Sequence, residues 1–241
     1  IYSLGIPVGL ALGTLLGAYI ATKVDWRAAF LTMGVLGIII APIFLYLVKG
    51  KPRPAVAASQ EPMSAVFGIL VRKPAFWLLA LGAGMSSICG YGLALWSPEI
   101  ITNSYGFSLM DTGIFMGSIL LIGGTMGVFM GGVLADRLGG WDKGWYAKLP
   151  MIAWAVSAPM FMVGLSAPTW WVGWLLLLIP NGLNILWLGP ISTSIQHLVP
   201  RHMRATASAS FLMINNLIGL GLGPMLIGAM SDYFKAGYGD D

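Results

Sequence analysis

Thr112-Gly-Ile-Phe-Met-Gly-Ser-Ile-Leu-Leu-Ile-Gly-Gly-Thr-Met-Gly-Val-Phe-Met-Gly-Gly-Val-Leu-Ala135 carries no charge and runs straight into Asp136-Arg137-Leu138-Gly139. A helix needs roughly 20 mostly apolar residues to cross a hydrocarbon core. This stretch is long enough, and the charges behind it mark the return to water. Residues 1–22, 28–48, 74–98 and 205–231 are charge-free in the same way. Residues 149–200 are also charge-free but too long for one span, so a turn is predicted at Ser166-Ala167-Pro168-Thr169, where a proline follows small residues. The expectation is seven membrane spans in an all-α integral membrane protein. Composition agrees: of 241 residues, 57% are apolar and 9% charged, where a soluble domain has about 25% charged. A soluble enzyme, a nucleic-acid binder and a disulfide scaffold are excluded on that ground. The net charge of +4 is dispersed between apolar runs, not gathered in a basic patch. Cys89 is the single cysteine and has no metal-ligand spacing around it, so neither metal nor cofactor is expected. Residues 1–22 lack the basic start of a secretory signal.

Basic residues orient the spans. One set of loops holds Lys49, Lys51, Arg53, Arg72, Lys73, Arg137, Lys143, Lys148, Arg201 and Arg204; the other holds only Lys23, Arg27 and Lys235. The richer side is cytoplasmic, so the chain begins inside and ends outside. Trp26, Trp96, Trp170 and Trp171 fall near outer span ends, and Trp141 and Trp145 near inner ones, as an aromatic belt does.

Residues 49–74, with Lys-Gly-Lys-Pro-Arg-Pro at their start, are expected to form an extended or partly ordered cytoplasmic linker. Sliding the first span over the last by 210 positions brings Gly9 onto Gly219, Gly13 onto Gly223 and Leu16 onto Leu226. Both spans leave the cytoplasm, so this is a parallel repeat, of the kind found in transporter halves; two Gly/Leu-rich helices also align by chance. Gly5, Gly9, Gly13 and Gly17 lie four apart, as do Gly123, Gly127 and Gly131. Such stripes let another helix backbone approach closely. They serve static packing or a rocking contact between halves. Gly219 and Gly223 repeat the spacing, and Pro224 behind them can bend the helix.

Gly132-Val133-Leu134-Ala135-Asp136-Arg137-Leu138-Gly139 resembles the cytoplasmic loop motif of the major facilitator superfamily, G-x-x-x-D-R/K-x-G between two helices. The resemblance implies that Gly132, Asp136, Arg137 and Gly139 form a latch closing the cytoplasmic side in one state. Asp136 at a helix end can accept hydrogen bonds from the free amides that start a neighbouring helix, and Arg137 can hold that carboxylate or reach anionic headgroups. Gly140-Trp141 stands where a further basic residue is common in the family. Asp25-Trp26-Arg27-x-x-Phe30 is similar to the family's external turn between its fifth and sixth helices. On that anchor the spans correspond to helices five to eleven of twelve. Residues 1–48 would be the last two helices of the N-terminal bundle, 49–74 the inter-bundle linker and 75–241 five helices of the C-terminal bundle. The expectation is a fragment, with four helices missing before it and the twelfth after it. Trp96-Ser97-Pro98-Glu99, Arg204-Ala-Thr-Ala-Ser-Ala-Ser210 and Asn216-Leu-Ile-Gly-Leu-Gly-Leu-Gly-Pro224 resemble the spinster-like branch. Animal members of that branch are implicated in moving lysophospholipids and sphingosine-1-phosphate; bacterial ones mostly have no assigned substrate.

Polar groups at mid-depth in broken helices mark transporter sites. Pro180-Asn181-Gly182 interrupts its span about halfway, and Asn181, Asn184 and Trp187 fall three apart on one face. This is the leading candidate wall, corresponding to the family's tenth helix. Ser86 and Ser87, followed by Tyr91, occupy the middle of the preceding candidate, the family's seventh. A phenol in hydrocarbon needs a partner. Asn215 and Asn216 lie mid-span in the last helix, where one is expected to bond between helices. Each of these polar residues has an alternative role as packing glue worth roughly 0.6 kcal/mol. Gln196, His197 and His202 lie at or near the cytoplasmic surface and are given no catalytic role.

No Asp, Glu, Lys or Arg lies at the centre of a span. A proton-coupling acid would then lie in the missing helices, and a retinal receptor is excluded for want of an in-helix lysine. The sequence points to a non-enzymatic, multi-pass transporter of a bacterial inner membrane. Its partners are the bilayer and a small-molecule or lysolipid substrate, and it works by alternating access on an amphipathic lipid-like or organic-anion substrate. A proton-coupled symporter of small polar acids such as sugar acids is the alternative, and a seven-helix receptor or sensor the alternative from another class.

Overall fold

The computed structural model describes residues 2–47 and 63–238. Among them every regular element is helical, and seven helices or helix pairs are long and apolar enough to cross a membrane. The first is α1 (Gly5–Lys23). A tight turn leads to α2 (Trp26–Leu47), which Asp25 caps by accepting the amide of Ala28 at 2.6 Å. The Arg27 guanidinium lies 4.6 Å from the Trp26 ring centroid. α2 packs against α1 and buries no residue fully among the described residues.

The linker prediction is modified. Residues 49–62 lie outside the described residues, but Met63–Val71 is a helix, α3. Its Val66 and Leu70 are buried against Phe76, Ala80 and Phe211, so an apolar stripe four residues apart docks it on the bundle. The Trp77 indole donates to the Val71 carbonyl at 3.1 Å, closing the end of α3. Lys73 extends its ammonium to the Leu198 carbonyl and ties the chain to the helix end there.

α4 (Pro74–Tyr105) starts on a proline, where the missing N–H costs nothing, and stops at Gly106, whose φ of 65° is left-handed. It runs past Pro98 and Glu99, where the charge-free stretch ended, so Trp96 is not at the helix end. Ser108 and Asp111 form a capping box that opens α5 (Leu109–Ile119). A π-turn, Leu120–Gly124, joins α5 to α6 (Thr125–Gly139). Asp142 in the next loop accepts from the Gly144 amide and pairs with Lys148 at 2.9 Å. The Gly144 bond, reinforced by Lys148, holds this exposed carboxyl below the ordinary aspartate range.

α7 (Trp145–Leu165) turns at Ser166–Thr169, as the sequence predicts, into α8 (Trp170–Ile185). α9 (Leu188–His197) continues the same span, and α10 (Arg204–Tyr238) follows a short turn. The predicted break at Pro180-Asn181-Gly182 is corrected: α8 runs through Pro180, and the interruption falls at Leu186-Trp187. Pro190 has no N–H to offer the Leu186 carbonyl four residues back, which is where the ladder opens.

α10 lies along α4, α7 along α8, and α1 along α5. One core, built from α3, α4, α9 and α10, includes Phe76, Ile191, Ile195 and Phe211. A second, between α4, α5 and α8, gathers Ile101, Phe115, Ile119 and Leu177.

Candidate functional site

Glycine decides how close the helices come. A Cβ on Gly123 would meet the Leu178 carbonyl oxygen at 2.5 Å, one on Gly127 the Gly182 oxygen at 2.0 Å, and one on Gly131 the Leu186 oxygen at 2.4 Å. The π-turn and α6 therefore lie backbone to backbone along α8. Gly113 and Gly117, on another face of α5, receive Ala18 and Leu15 of α1. The stripe predicted on α1 has no neighbour among the described residues. Among the described residues, no atom outside α1 lies within 4 Å of a Cβ built on Gly5, Gly9, Gly13 or Gly17. The α1 face that packs carries the buried Pro7 and Ala11, and the glycines facing it belong to α5 and the π-turn. Gly219 and Gly223 lie against Ser87, Tyr91 and the Ile88 carbonyl of α4.

That close approach of α4 to α10 sorts the polar residues. Ser87 donates to Asn215 Oδ1 at 2.9 Å, and both side chains are buried between the two helices. They satisfy each other and present nothing to a cavity, so their role here is inter-helix bonding. One turn on, the Tyr91 hydroxyl donates to Asn216 Oδ1 at 2.6 Å, and this pair is only half buried. Trp96 donates its indole N–H to the Pro224 carbonyl at 3.2 Å, so it bridges α4 and α10 instead of anchoring at the interface. Trp187 is also reassigned. It is buried in the core, 6.1 Å from the Phe211 ring and edge-on to it, because the opened turn at Leu186-Trp187 swings it away from the Asn face.

What remains is a small neutral wall. Asn184 rests against bare backbone, its Oδ1 3.0 Å from where a Gly90 Cβ would stand. Gly90 is one turn beyond Ser86 on α4, so Ser86 and Asn184 border the same crossing of α4 and α8. The Ser86 hydroxyl oxygen is buried with no hydrogen-bond partner. Neither Asn181 nor Asn184, both half buried, bonds to another group among the described residues. In an apolar setting such groups seek a partner, whether water or ligand. Thr125 Oγ1 and Trp154 Nε1 are unpartnered and buried too. The sequence held a signal for both, a hydroxyl and an indole in the interior of charge-free spans, but it was less conspicuous than the paired Asn and Ser residues.

Of the loop motif, Gly139 lies against the Tyr146 ring, and Gly132 faces open space. Asp136 and Arg137 are exposed and make no hydrogen bond or ion pair among the described residues. No cluster of three or more metal-ligating side chains occurs among those residues.

Comparison with known proteins adds the following. A profile of the Major Facilitator Superfamily matches residues 1–224. An MFS-type efflux pump of Mycolicibacterium smegmatis is 30% identical over 233 residues, covering 96% of this chain and 54% of that protein. Protein spinster homolog 3 of Danio rerio is 28% identical, covering 94% of this chain and 49% of its own. The crystal structure of a bacterial homolog to the human lysosomal transporter Spinster, inward-facing and unoccupied, matches with a TM-score of 0.80 at 25% identity, covering 98% of this chain and 56% of that one. The chain thus spans about half the length of the curated relatives it matches.

Proposed function

The chain belongs to the major facilitator superfamily, as a spinster-like, multi-pass membrane transporter segment, and from that premise we propose that the complete protein moves an amphipathic, lipid-like or organic-anion substrate across a bacterial inner membrane by alternating access. Residues 1–48 are read as the end of one bundle, 49–74 as the connection and 75–241 as most of the second. The reading rests above all on Ser86, Asn181 and Asn184. They offer hydrogen-bonding capacity that no group among the described residues uses, in a wall without charge. A substrate with a long apolar body and a compact polar head suits such a wall. The Tyr91–Asn216 pair lies on the adjoining face of α4 and can exchange its internal bond for one to substrate. Proton-coupled symport of a small acid calls for a cationic side chain in the cavity, and these groups are all neutral. In this scheme Asp136 and Arg137 close the cytoplasmic side in the opposite state, which leaves them unengaged here.

The test is thermal unfolding of the full-length protein in detergent with lysophospholipids, sphingoid phosphates and small organic acids, against a detergent-matched lipid control. A ligand at 100 times its Kd stabilises by about 2.7 kcal/mol when it binds only the folded state. The expected result is a saturable shift with lysolipids that Asn184→Ala abolishes and Ser87→Ala, a packing change, leaves in place. A shift with small acids alone, or one indifferent to Asn184→Ala, overturns the reading.

A further inference from the structure

A cavity in the structure lies away from the mid-span wall. It holds about 330 Å³ between the outer ends of α5 and α8, within the range of small-molecule sites, roughly 300–1,000 Å³. None of Ser86, Tyr91, Asn181, Asn184 or Asn216 lines it. Its walls are the rings of Phe107, Phe115, Trp170 and Trp174, and its single ionisable group is Asp111. We propose that this cavity is a second binding site, on the external face, for a small organic cation bearing an aromatic or alkyl group.

The chemistry follows from which groups are fixed and which are spare. Phe107 meets Phe115 edge-on at 5.9 Å and lies 6.4 Å from the Trp170 ring. Trp174 is held by its indole bond to Ser118 Oγ at 2.8 Å. The rings are therefore set before a ligand arrives. The Asp111 carboxylate is set as well: its Oδ2 accepts the Ser108 amide at 3.2 Å and the Ser108 hydroxyl at 2.6 Å. Among the described residues its Oδ1 has no partner, and no Lys, Arg or His pairs with it. A carboxylate oxygen beside several ring faces attracts a cation twice over, once by charge and once through the ring quadrupoles. An anion would be repelled, and a neutral hydrocarbon would make no use of Asp111. The ligand class is thus a monovalent ammonium or phosphonium with an apolar body.

Binding of benzyltrimethylammonium to the full-length protein in detergent, followed by calorimetry, tests this, with neopentylbenzene as the uncharged isostere. Asp111→Asn keeps an oxygen for the cap and removes the charge; Trp170→Leu removes one ring. Saturable binding of the cation is expected, weakened roughly tenfold by either variant and unchanged by Asn184→Ala, with neopentylbenzene binding at least tenfold more weakly than the cation. Should Asp111→Asn fail to fold, as judged by gel filtration, Trp170→Leu decides. Absence of saturable binding, equal binding of the isostere, or unaltered affinity in the folded variants overturns the proposal. So does loss on Asn184→Ala, which would place the cation at the mid-span wall.

Discussion

Replacing Gly127 by alanine puts a carbon 2.0 Å from the Gly182 carbonyl oxygen and 2.7 Å from Gly182 Cα. Both are main-chain atoms, so no rotamer can move aside. Ordinary contact begins at 3.4 Å, and α6 must retreat from α8 by about 1.4 Å to reach it. Gly123 and Gly131 sit on the same stripe, and their contacts with Leu178 and Leu186 open with it. A gap of that size forfeits about half the dispersion energy across the seam or more. Overpacking alone costs about 1–3 kcal/mol, and this case belongs at the upper end, reduced by about 1 kcal/mol of helix propensity gained by alanine over glycine. In thermal unfolding of a full-length protein the size of the relatives, about twice this chain, this amounts to a loss of roughly 2–4 °C. Gly132→Ala is the internal comparison, five residues along the same helix with nothing within 4 Å of its Cβ; it should hold or slightly raise the midpoint. A Gly127→Ala midpoint within about 1 °C of wild type would refute the claim that these helices meet backbone to backbone.

Ser87→Ala and Asn215→Ala should each lower the unfolding midpoint by the equivalent of roughly 1–2 kcal/mol, since each leaves a buried partner unsatisfied, while ligand affinity in the thermal-shift screen stays put. Tyr91→Phe and Asn216→Ala should be non-additive, with a coupling of about 0.6 kcal/mol in a double-mutant cycle on stability; independent effects would show that the 2.6 Å bond does not persist. Pro190→Ala supplies the N–H that the Leu186 carbonyl lacks, so amide exchange around residues 186–190 should slow; unchanged exchange would assign the opened turn to some other cause. Asp142 titrates below the ordinary value of 3.8. A lowered folded pKa means its contribution is present above that value and lost as pH falls through the folded one. The stability lead of wild type over Asp142→Asn should therefore be constant near neutrality and vanish in strong acid, as read by unfolding midpoints across pH.

The contrast between the two glycine stripes shows where one-dimensional reading stops. Gly5 to Gly17 and Gly123 to Gly131 have the same spacing, and both imply a helix face able to receive another backbone. Only the second has α8 against it; the first meets no atom of the described chain. Spacing reports capability, not partner. The same limit separated Ser86 from Ser87. Adjacent residues on a helix point about 100° apart, so one faces α10 and is satisfied while the other faces α8 and is not. Trp187, Asn184 and Asn181 lay on one predicted face, and the proline-opened turn at Leu186-Trp187 separated the tryptophan from it.

Span number, helical class and the turn at Ser166–Thr169 were determined by the sequence alone. Each depends on a sum over many residues of the same quantity, the cost of placing apolar or charged groups in lipid or water, and that sum needs no knowledge of neighbours. The candidate site was decided only by the tertiary structure. Whether a hydroxyl, amide or indole is spare or spent turns on a single partner within about 3 Å, and residues more than a hundred positions apart, such as Ser87 and Asn215, come into that range only when the helices pack.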